Sequence, residues 1–249
     1  MELPERIGLA HWLAWLRLNR CAALLAGLLL FILAFPFTRP FTPERAAVNL
    51  LLVGVLMVAR WALDPHRRVG RIAAVLAAVL VAVYGGALAG LPGFAAMVTV
   101  LYAALEATVT IALLSYVLDA GRVTTDKIFG AVAAFVLLGM MFASLFAVLL
   151  LADPGAVRSS SDDDNRLGWF DLFYFSVTML TSTGFAAANF QVWPGLALLL
   201  LFGAMFLGGC SGSTAGGIKQ VRLLVILKLL AYTIRHFVRP KSVERIKLD

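Results

Sequence analysis

The chain has 249 residues, of which 61% are hydrophobic and only 14% are charged, and its formal net charge is +7. This composition excludes an ordinary soluble domain, because the apolar residues form long runs separated by short charged segments. Lysine and arginine lie beside these runs, which favours membrane-flanking charge over nucleic-acid binding. Both cysteines, Cys21 and Cys210, lie in apolar segments, so neither a disulfide framework nor a metal site is predicted.

Six membrane crossings are predicted, and the fold class is an all-α membrane protein. The crossings run over residues 21–37, 46–63, 72–91, 94–118, 127–152 and, with an interruption, 194–232. Lysine and arginine concentrate in alternate loops, which places both termini in the cytoplasm. The acidic loop with Asp162, Asp163 and Asp164 then lies outside. The first loop, with Arg39 and Arg45, is the one exception to this charge pattern.

The segment between the fifth and sixth crossings contains a short apolar run, Trp169 to Leu180. About 12 residues are too few to cross a bilayer, so the run predicts a re-entrant pore helix. The candidate selectivity filter follows it: Thr181, Ser182, Thr183, Gly184 and Phe185. Backbone carbonyls there would replace the hydration shell of potassium, and a glycine lets successive carbonyls point the same way. The alternative is a half-buried outer loop with a chance Thr-Gly pair.

A glycine-rich break interrupts the last crossing. The candidate gate comprises Gly208, Gly209, Cys210, Ser211, Gly212, Ser213, Thr214, Gly216, Gly217 and Lys219. Each glycine costs about 1 kcal/mol relative to alanine inside a helix, and the hydroxyl side chains can satisfy the backbone groups that a break releases. The pattern predicts a flexible obstruction below the filter. Close helix packing through small residues is the alternative.

Two enzyme-like patterns fail in the same segment. Residues 212–217 have the spacing of a phosphate-binding loop, but Ile218 precedes Lys219 and no Ser or Thr follows it. Residues 209–213 lack the second glycine of a nucleophile elbow. The chain is therefore predicted not to be an enzyme, and no cofactor is expected beyond potassium as the transported ion.

Residues 170–243, and above all GGCSGSTAGGIK at 208–219, resemble the Trk/Ktr/HKT superfamily of potassium transporters. The resemblance implies that Thr183, Gly184 and Phe185 belong to the filter and that residues 208–219 form an intramembrane gating loop. In that family the filter and the broken helix form one of four pore repeats. A cytosolic nucleotide-binding ring regulates the pore, which implies such a ring as a separate partner here.

The N-terminal part is similar instead to small bacterial potassium channels with six crossings, which carry a T-V-G-Y-G type filter. Ala186 replaces the second glycine of that filter. The expected domains are a four-helix N-terminal transmembrane domain, residues 1–126, and a pore module, residues 127–249. One pore repeat cannot enclose an axis, so four copies are the simplest closure.

The sequence-based hypothesis is thus a potassium-permeable, homotetrameric channel or uptake pore in the inner membrane of a bacterium. The fourth crossing has no Lys or Arg, which predicts no steep voltage gating. Glu106 lies in the middle of this crossing, either hydrogen-bonded within the bundle or in a functional polar site. A non-conducting subunit that regulates another transporter is the main alternative, and a membrane enzyme is a third.

Overall fold

A computed structural model of the chain describes seven continuous stretches and a few single positions. The stretches are 19–38, 42–63, 67–89, 93–117, 124–153, 167–184 and 193–207, and the single positions are 222, 225, 226, 229, 230, 233 and 237. All regular structure within these stretches is helical, without a strand, as the sequence predicts.

Seven α-helices and one 3-10 turn lie in these stretches. The helices are α1 (Arg20–Ala34), α2 (Pro43–Leu63), α3 (Arg67–Leu88), α4 (Phe94–Val117), α5 (Thr125–Ala152), α6 (Trp169–Leu180) and α7 (Gly195–Leu207), and the 3-10 turn Phe35–Phe37 follows α1.

Local sequence explains where several helices begin. Thr42 precedes α2, and its Oγ1 accepts the backbone N–H of Arg45 at 3.3 Å. Thr124 does the same for α5, accepting the N–H of Lys127 at 3.3 Å. Such hydroxyls satisfy N–H groups that the first helical turn leaves without a partner. Before α4, Gly93 has a φ of 83°, a left-handed conformation that favours glycine.

Four helical segments in the described part of the chain are long and apolar enough to cross a membrane: Arg20–Phe37, Arg71–Leu88, Phe94–Val117 and Thr125–Ala152. They coincide with the first, third, fourth and fifth predicted crossings. The chain is accordingly a multi-pass membrane protein. Helix α2 covers the second predicted crossing and α7 the start of the sixth, but neither is among the four. The count of six therefore remains a prediction.

The chain divides into two compact units. The first comprises Met1–Val117 with Val123–Ala134, and the second Leu118–Arg122 with Phe135–Asp249. The chain therefore passes from one unit to the other within α5. The domain boundary predicted at residues 126 and 127 remains a prediction.

In the first unit, α1 packs on α2, α2 packs on α3 and α4, and α3 packs on α4. Gly27 marks a close approach of α1 and α2, because a Cβ added there would lie 2.6 Å from Cγ2 of Val55. Small residues allow such contacts between helices in membranes. Apart from Glu106, the largest fully buried side chains of this unit are apolar: Leu28, Phe31, Leu56, Leu80, Leu105 and Leu113.

In the second unit, α6 packs against α7 and against the later part of α5. Gly139 of α5 faces α6, since a Cβ added there would lie 2.9 Å from Cγ2 of Val177 and 3.3 Å from Cε2 of Phe173. One face of the short helix α6 is thus buried against its neighbours, while Phe170 and Tyr174 are exposed, and its C-terminal end leads into the candidate filter.

Candidate functional site

Helix α6 is short, and a side chain of its own first turn caps its N-terminal end. The backbone N–H of Gly168 donates to Oδ2 of Asp171 at 2.9 Å, and the carboxylate also suits the positive end of the helix dipole. The 12 residues span about 18 Å, well below the 30 Å hydrocarbon layer. The helix buries Leu172, Phe175, Ser176, Thr178, Met179 and Leu180.

An aromatic cluster holds α6 against α5 and against the start of α7. The rings of Phe146, Phe175 and Trp193 meet edge to face, with centroid distances of 5.6 Å for Phe146–Phe175, 5.8 Å for Phe146–Trp193 and 5.1 Å for Phe175–Trp193. Trp193 is only 4% exposed. It lies next to Pro194, just before α7, so this packing anchors the chain at the start of that helix. The sequence singles out Trp193 only as the residue before Pro194 at the predicted start of a helix.

The C-terminal end of α6 forms a Schellman cap. The N–H of Ser182 donates to the carbonyl of Met179, and the N–H of Thr183 donates to the carbonyl of Thr178, both at 2.9 Å. The motif requires a left-handed residue at Ser182, which has a φ of 55°. A non-glycine residue pays about 1–2 kcal/mol for this conformation. The strained residue therefore lies inside the predicted filter.

Gly184 is the second left-handed residue of the segment, with a φ of 73°. Its N–H also donates to the carbonyl of Thr178, at 3.3 Å. A Cβ added to Gly184 would meet nothing within 4 Å, so it is the backbone conformation and not lack of space that favours glycine here.

The side chains of Thr181 and Thr183 meet beside this cap. Their Oγ1 atoms are 2.7 Å apart, and Oγ1 of Thr181 also lies 2.9 Å from the carbonyl oxygen of Val177 and 3.2 Å from that of Thr178. The carbonyls of Val177, Thr178 and Met179 are thus all engaged by residues that follow the helix. Among the described residues, none donates to the carbonyls of residues 180–183.

Some residues of the candidate site lie outside the described part of the chain. They are Phe185 of the candidate filter and all of the candidate gate: Gly208, Gly209, Cys210, Ser211, Gly212, Ser213, Thr214, Gly216, Gly217 and Lys219. The structure therefore brings together Thr181, Ser182, Thr183 and Gly184, and the roles of all these residues remain predictions. No group of three metal-binding side chains occurs among the described residues.

Glu106 belongs to the first unit and is 1% exposed within α4. A polar network lies in the same unit: Tyr102, one turn before Glu106, donates from its hydroxyl to the carbonyl of Asn49 at 3.1 Å, and Asn49 Nδ2 donates to the hydroxyl of Tyr84 at 3.0 Å. Glu106 is thus buried one turn after a tyrosine that joins this network.

Asp126 forms a second polar centre in the first unit, one that the sequence does not reveal. Its Oδ1 accepts the backbone N–H of Cys21 in the first turn of α1, and its Oδ2 accepts the hydroxyl of Tyr116 near the end of α4, both at 2.9 Å. One carboxylate thus joins the first turn of α5 to α1 and α4. No local signal predicts a cap supplied from 105 residues away.

Comparison with known proteins places this site in a transport family. Residues 94–249 match the TrkH family, described as a cation transport protein. The Trk system potassium uptake protein TrkH of Halomonas elongata is 36% identical over 108 residues, which are 43% of this chain and 22% of that protein. An uncharacterised cation transporter of Methanocaldococcus jannaschii is 43% identical over 97 residues, 39% of this chain and 20% of that protein.

The Trk system potassium uptake protein TrkH of Escherichia coli K12 is 38% identical over 76 residues, 30% of this chain and 16% of that protein. The matched part of the chain thus spans about a fifth of the length of these curated relatives. No solved structure matches the chain significantly. The family is one of transport proteins, in agreement with the prediction that the chain is not an enzyme.

Proposed function

Because the chain belongs to the TrkH family of cation transport proteins, we propose that it forms a potassium-permeable channel or uptake pore. The ion would lose its water to backbone carbonyls of Thr181, Ser182, Thr183, Gly184 and Phe185. Two of the relatives are named as potassium uptake proteins, which supports potassium as the cargo. The electrochemical gradient drives such a flux, and no chemical step is needed.

The observation that carries this proposal is the end of α6. The helix is too short to cross a bilayer, and two left-handed residues, Ser182 and Gly184, follow it with one residue between them. Left-handed residues on both sides of Thr183 would allow successive peptide groups to turn towards the same side. The preceding carbonyls are already engaged in the cap, so those that follow can serve as ion ligands.

In this proposal α6 is re-entrant between the fifth and sixth of six crossings. Both termini lie in the cytoplasm of a bacterial cell, and the loop with Asp162, Asp163 and Asp164 lies outside the inner membrane. Irregular backbone at membrane depth is acceptable only where protein buries it or where it lines an aqueous cavity. Thr183 and Gly184 are exposed in the single chain, so in this proposal the filter backbone lines an aqueous pore and meets the second condition.

The glycine-rich segment, residues 208–219, is the proposed gate. It follows α7 in the sequence, and because that helix has only 13 residues, a break there would fall within the sixth crossing below the filter. Its glycines give the backbone freedom to move into and out of the permeation path. Because α4 carries no Lys or Arg, the gate does not respond steeply to voltage.

Four copies of the chain are proposed to surround one axis. A single filter segment offers ligands from one side only, and four-fold closure supplies the remaining ones. The small share of each relative that the chain matches, 16–22% in the TrkH proteins, is consistent with one repeat of a longer pore. A separate cytosolic nucleotide-binding ring is the proposed regulatory partner.

A second candidate is a subunit that does not conduct by itself and regulates another potassium transporter. Ala186 favours it, because alanine stands where the filter of small potassium channels has a second glycine. Purified chain that conducts alone would separate the two candidates.

The test is potassium flux, with sodium as competitor, in liposomes that contain purified chain or its Gly184→Ser variant. We expect flux in the parent, and we expect altered selectivity or loss of flux in Gly184→Ser, because serine is strained at a φ of 73°. Gly54→Ser is the matched control, since Gly54 lies in α2 with nothing within 4 Å of an added Cβ. Absence of flux from folded, tetrameric parent would contradict an autonomous pore.

A further inference from the structure

The hydroxyl contact between Thr181 and Thr183 has a definite direction. Each hydroxyl carries one hydrogen and two lone pairs. If Thr181 donated to Thr183, its oxygen would face the carbonyl oxygen of Val177 at 2.9 Å without a proton between them. The proton of Thr181 therefore points to the carbonyls of Val177 and Thr178, and Thr183 donates to Thr181.

This direction makes the two side chains a link between the filter and the helix end. Thr183 lies between the two left-handed residues, Ser182 and Gly184, and its side chain is drawn back towards the last turn of α6. The backbone N–H groups of Thr183 and Gly184 are drawn to the same turn, through the carbonyl of Thr178. Side chain and amides thus attach the segment to the last turn of α6, while no described residue donates to the carbonyls of residues 180–183.

We propose that Thr181 and Thr183 form a positioning pair that holds the filter backbone and thereby sets the discrimination between potassium and sodium. The inference rests on the proposed function and adds these residues' side chains to it. Selectivity depends on the number of carbonyl oxygens around the ion and on how firmly they keep their positions. Attachment of this backbone to the end of α6 limits how far these oxygens can follow a smaller ion.

The substitutions Thr181→Val and Thr183→Val test the pair, because valine keeps the branched shape and removes the hydroxyl. In liposomes, each is expected to lower the ratio of potassium to sodium permeability about fivefold, the factor that one neutral hydrogen bond supplies. The double variant is expected to equal Thr181→Val, since that change already removes the bond to Thr183 together with those to the carbonyls of Val177 and Thr178. Thr181→Ser keeps the hydroxyl and is expected to restore the parent's ratio.

Ser176→Ala is the matched control. Its hydroxyl is buried in α6 and donates to the carbonyl of Leu172 at 2.7 Å, one turn away from the filter. A purely structural loss would lower the yield of assembled protein and leave the permeability ratio alone. An unchanged ratio in Thr183→Val, or single effects that multiply in the double variant, would overturn the proposal.

Amide hydrogen exchange tests the pair without ion flux. In Thr183→Val, faster exchange is expected at residues 183 and 184, whose N–H groups donate to Thr178. A parent that carries no potassium would overturn the proposed function. The exchange experiment would then test the positioning pair independently of ion flux. If residues 183 and 184 of Thr183→Val were as protected as in the parent, the positioning pair would be overturned.

Discussion

The carboxylate of Asp126 offers a prediction about the first unit that does not depend on transport. Asp126→Ala removes the acceptor of both the Cys21 N–H and the Tyr116 hydroxyl. Asn19 at the N-cap of α1 makes no side-chain capping hydrogen bond. The change therefore removes the carboxylate of α5 that accepts a backbone N–H in the first turn of α1. Tyr116→Phe removes only the second of the two bonds.

The sizes of these effects follow from the two hydrogen bonds. Bonds to a charged group contribute about 1.5–3 kcal/mol each when buried, and partial exposure of this site reduces both. We expect Asp126→Ala to lower the free energy of unfolding by about 2 kcal/mol and Tyr116→Phe by about 1 kcal/mol. The double variant should also lose about 2 kcal/mol, because removing the tyrosine hydroxyl costs nothing once its acceptor is gone.

The assay is thermal unfolding of purified protein in one detergent, where about 2 kcal/mol corresponds to roughly 4–8 °C for a chain of this size. Ser115→Ala is the control, because this exposed hydroxyl donates only to the carbonyl of Ile111 in its own helix. If the effects of Asp126→Ala and Tyr116→Phe add in the double variant, the two residues are not coupled and the reasoning fails.

Two further predictions concern stability, measured by the same unfolding assay. Trp193→Ala should cost about 3–5 kcal/mol and Trp193→Phe about 1 kcal/mol, since phenylalanine keeps an aromatic ring against Phe146 and Phe175; equal losses would speak against the aromatic cluster. Arg45→Lys should cost about 1 kcal/mol, because the guanidinium lies 3.7 Å from the centre of the Phe35 ring and donates to the carbonyl of Thr38 at 2.8 Å. The exposed Arg71→Lys should change stability by less than about 0.5 kcal/mol, and an equal loss there would contradict a special role for Arg45.

Much of the helical pattern follows from the sequence, because long apolar runs bounded by turn residues have few alternatives in a membrane. The predicted crossings at 94–118 and 127–152 differ from α4 and α5 by at most two residues at either end. The run Trp169–Leu180 is α6 with the same bounds. The length of this run was enough to predict a helix that does not cross the membrane, since 12 apolar residues cannot span a bilayer as a helix.

The contacts around the candidate filter could not be predicted from the sequence. A left-handed Ser182 is not predictable from its residue type, since glycine usually fills that place in a Schellman cap. Without that turn, Thr181 and Thr183 would not meet. The carboxylate of Asp126 and the ring of Trp193 likewise act on partners far away in sequence, and only tertiary packing brings them there. The gate and the tetramer remain predictions.

The place of Arg45 has a consequence for how the chain enters the membrane. In the charge pattern, this arginine is an exception, because positive residues tend to keep a loop in the cytoplasm. Its guanidinium is held by Phe35 and Thr38, both of which precede it at the end of the first hairpin. Both partners lie close to Arg45 along the chain, so the arginine gains them when the connection between α1 and α2 forms. In the proposed orientation, insertion of the two helices as one pair would carry the charge across with these contacts already made.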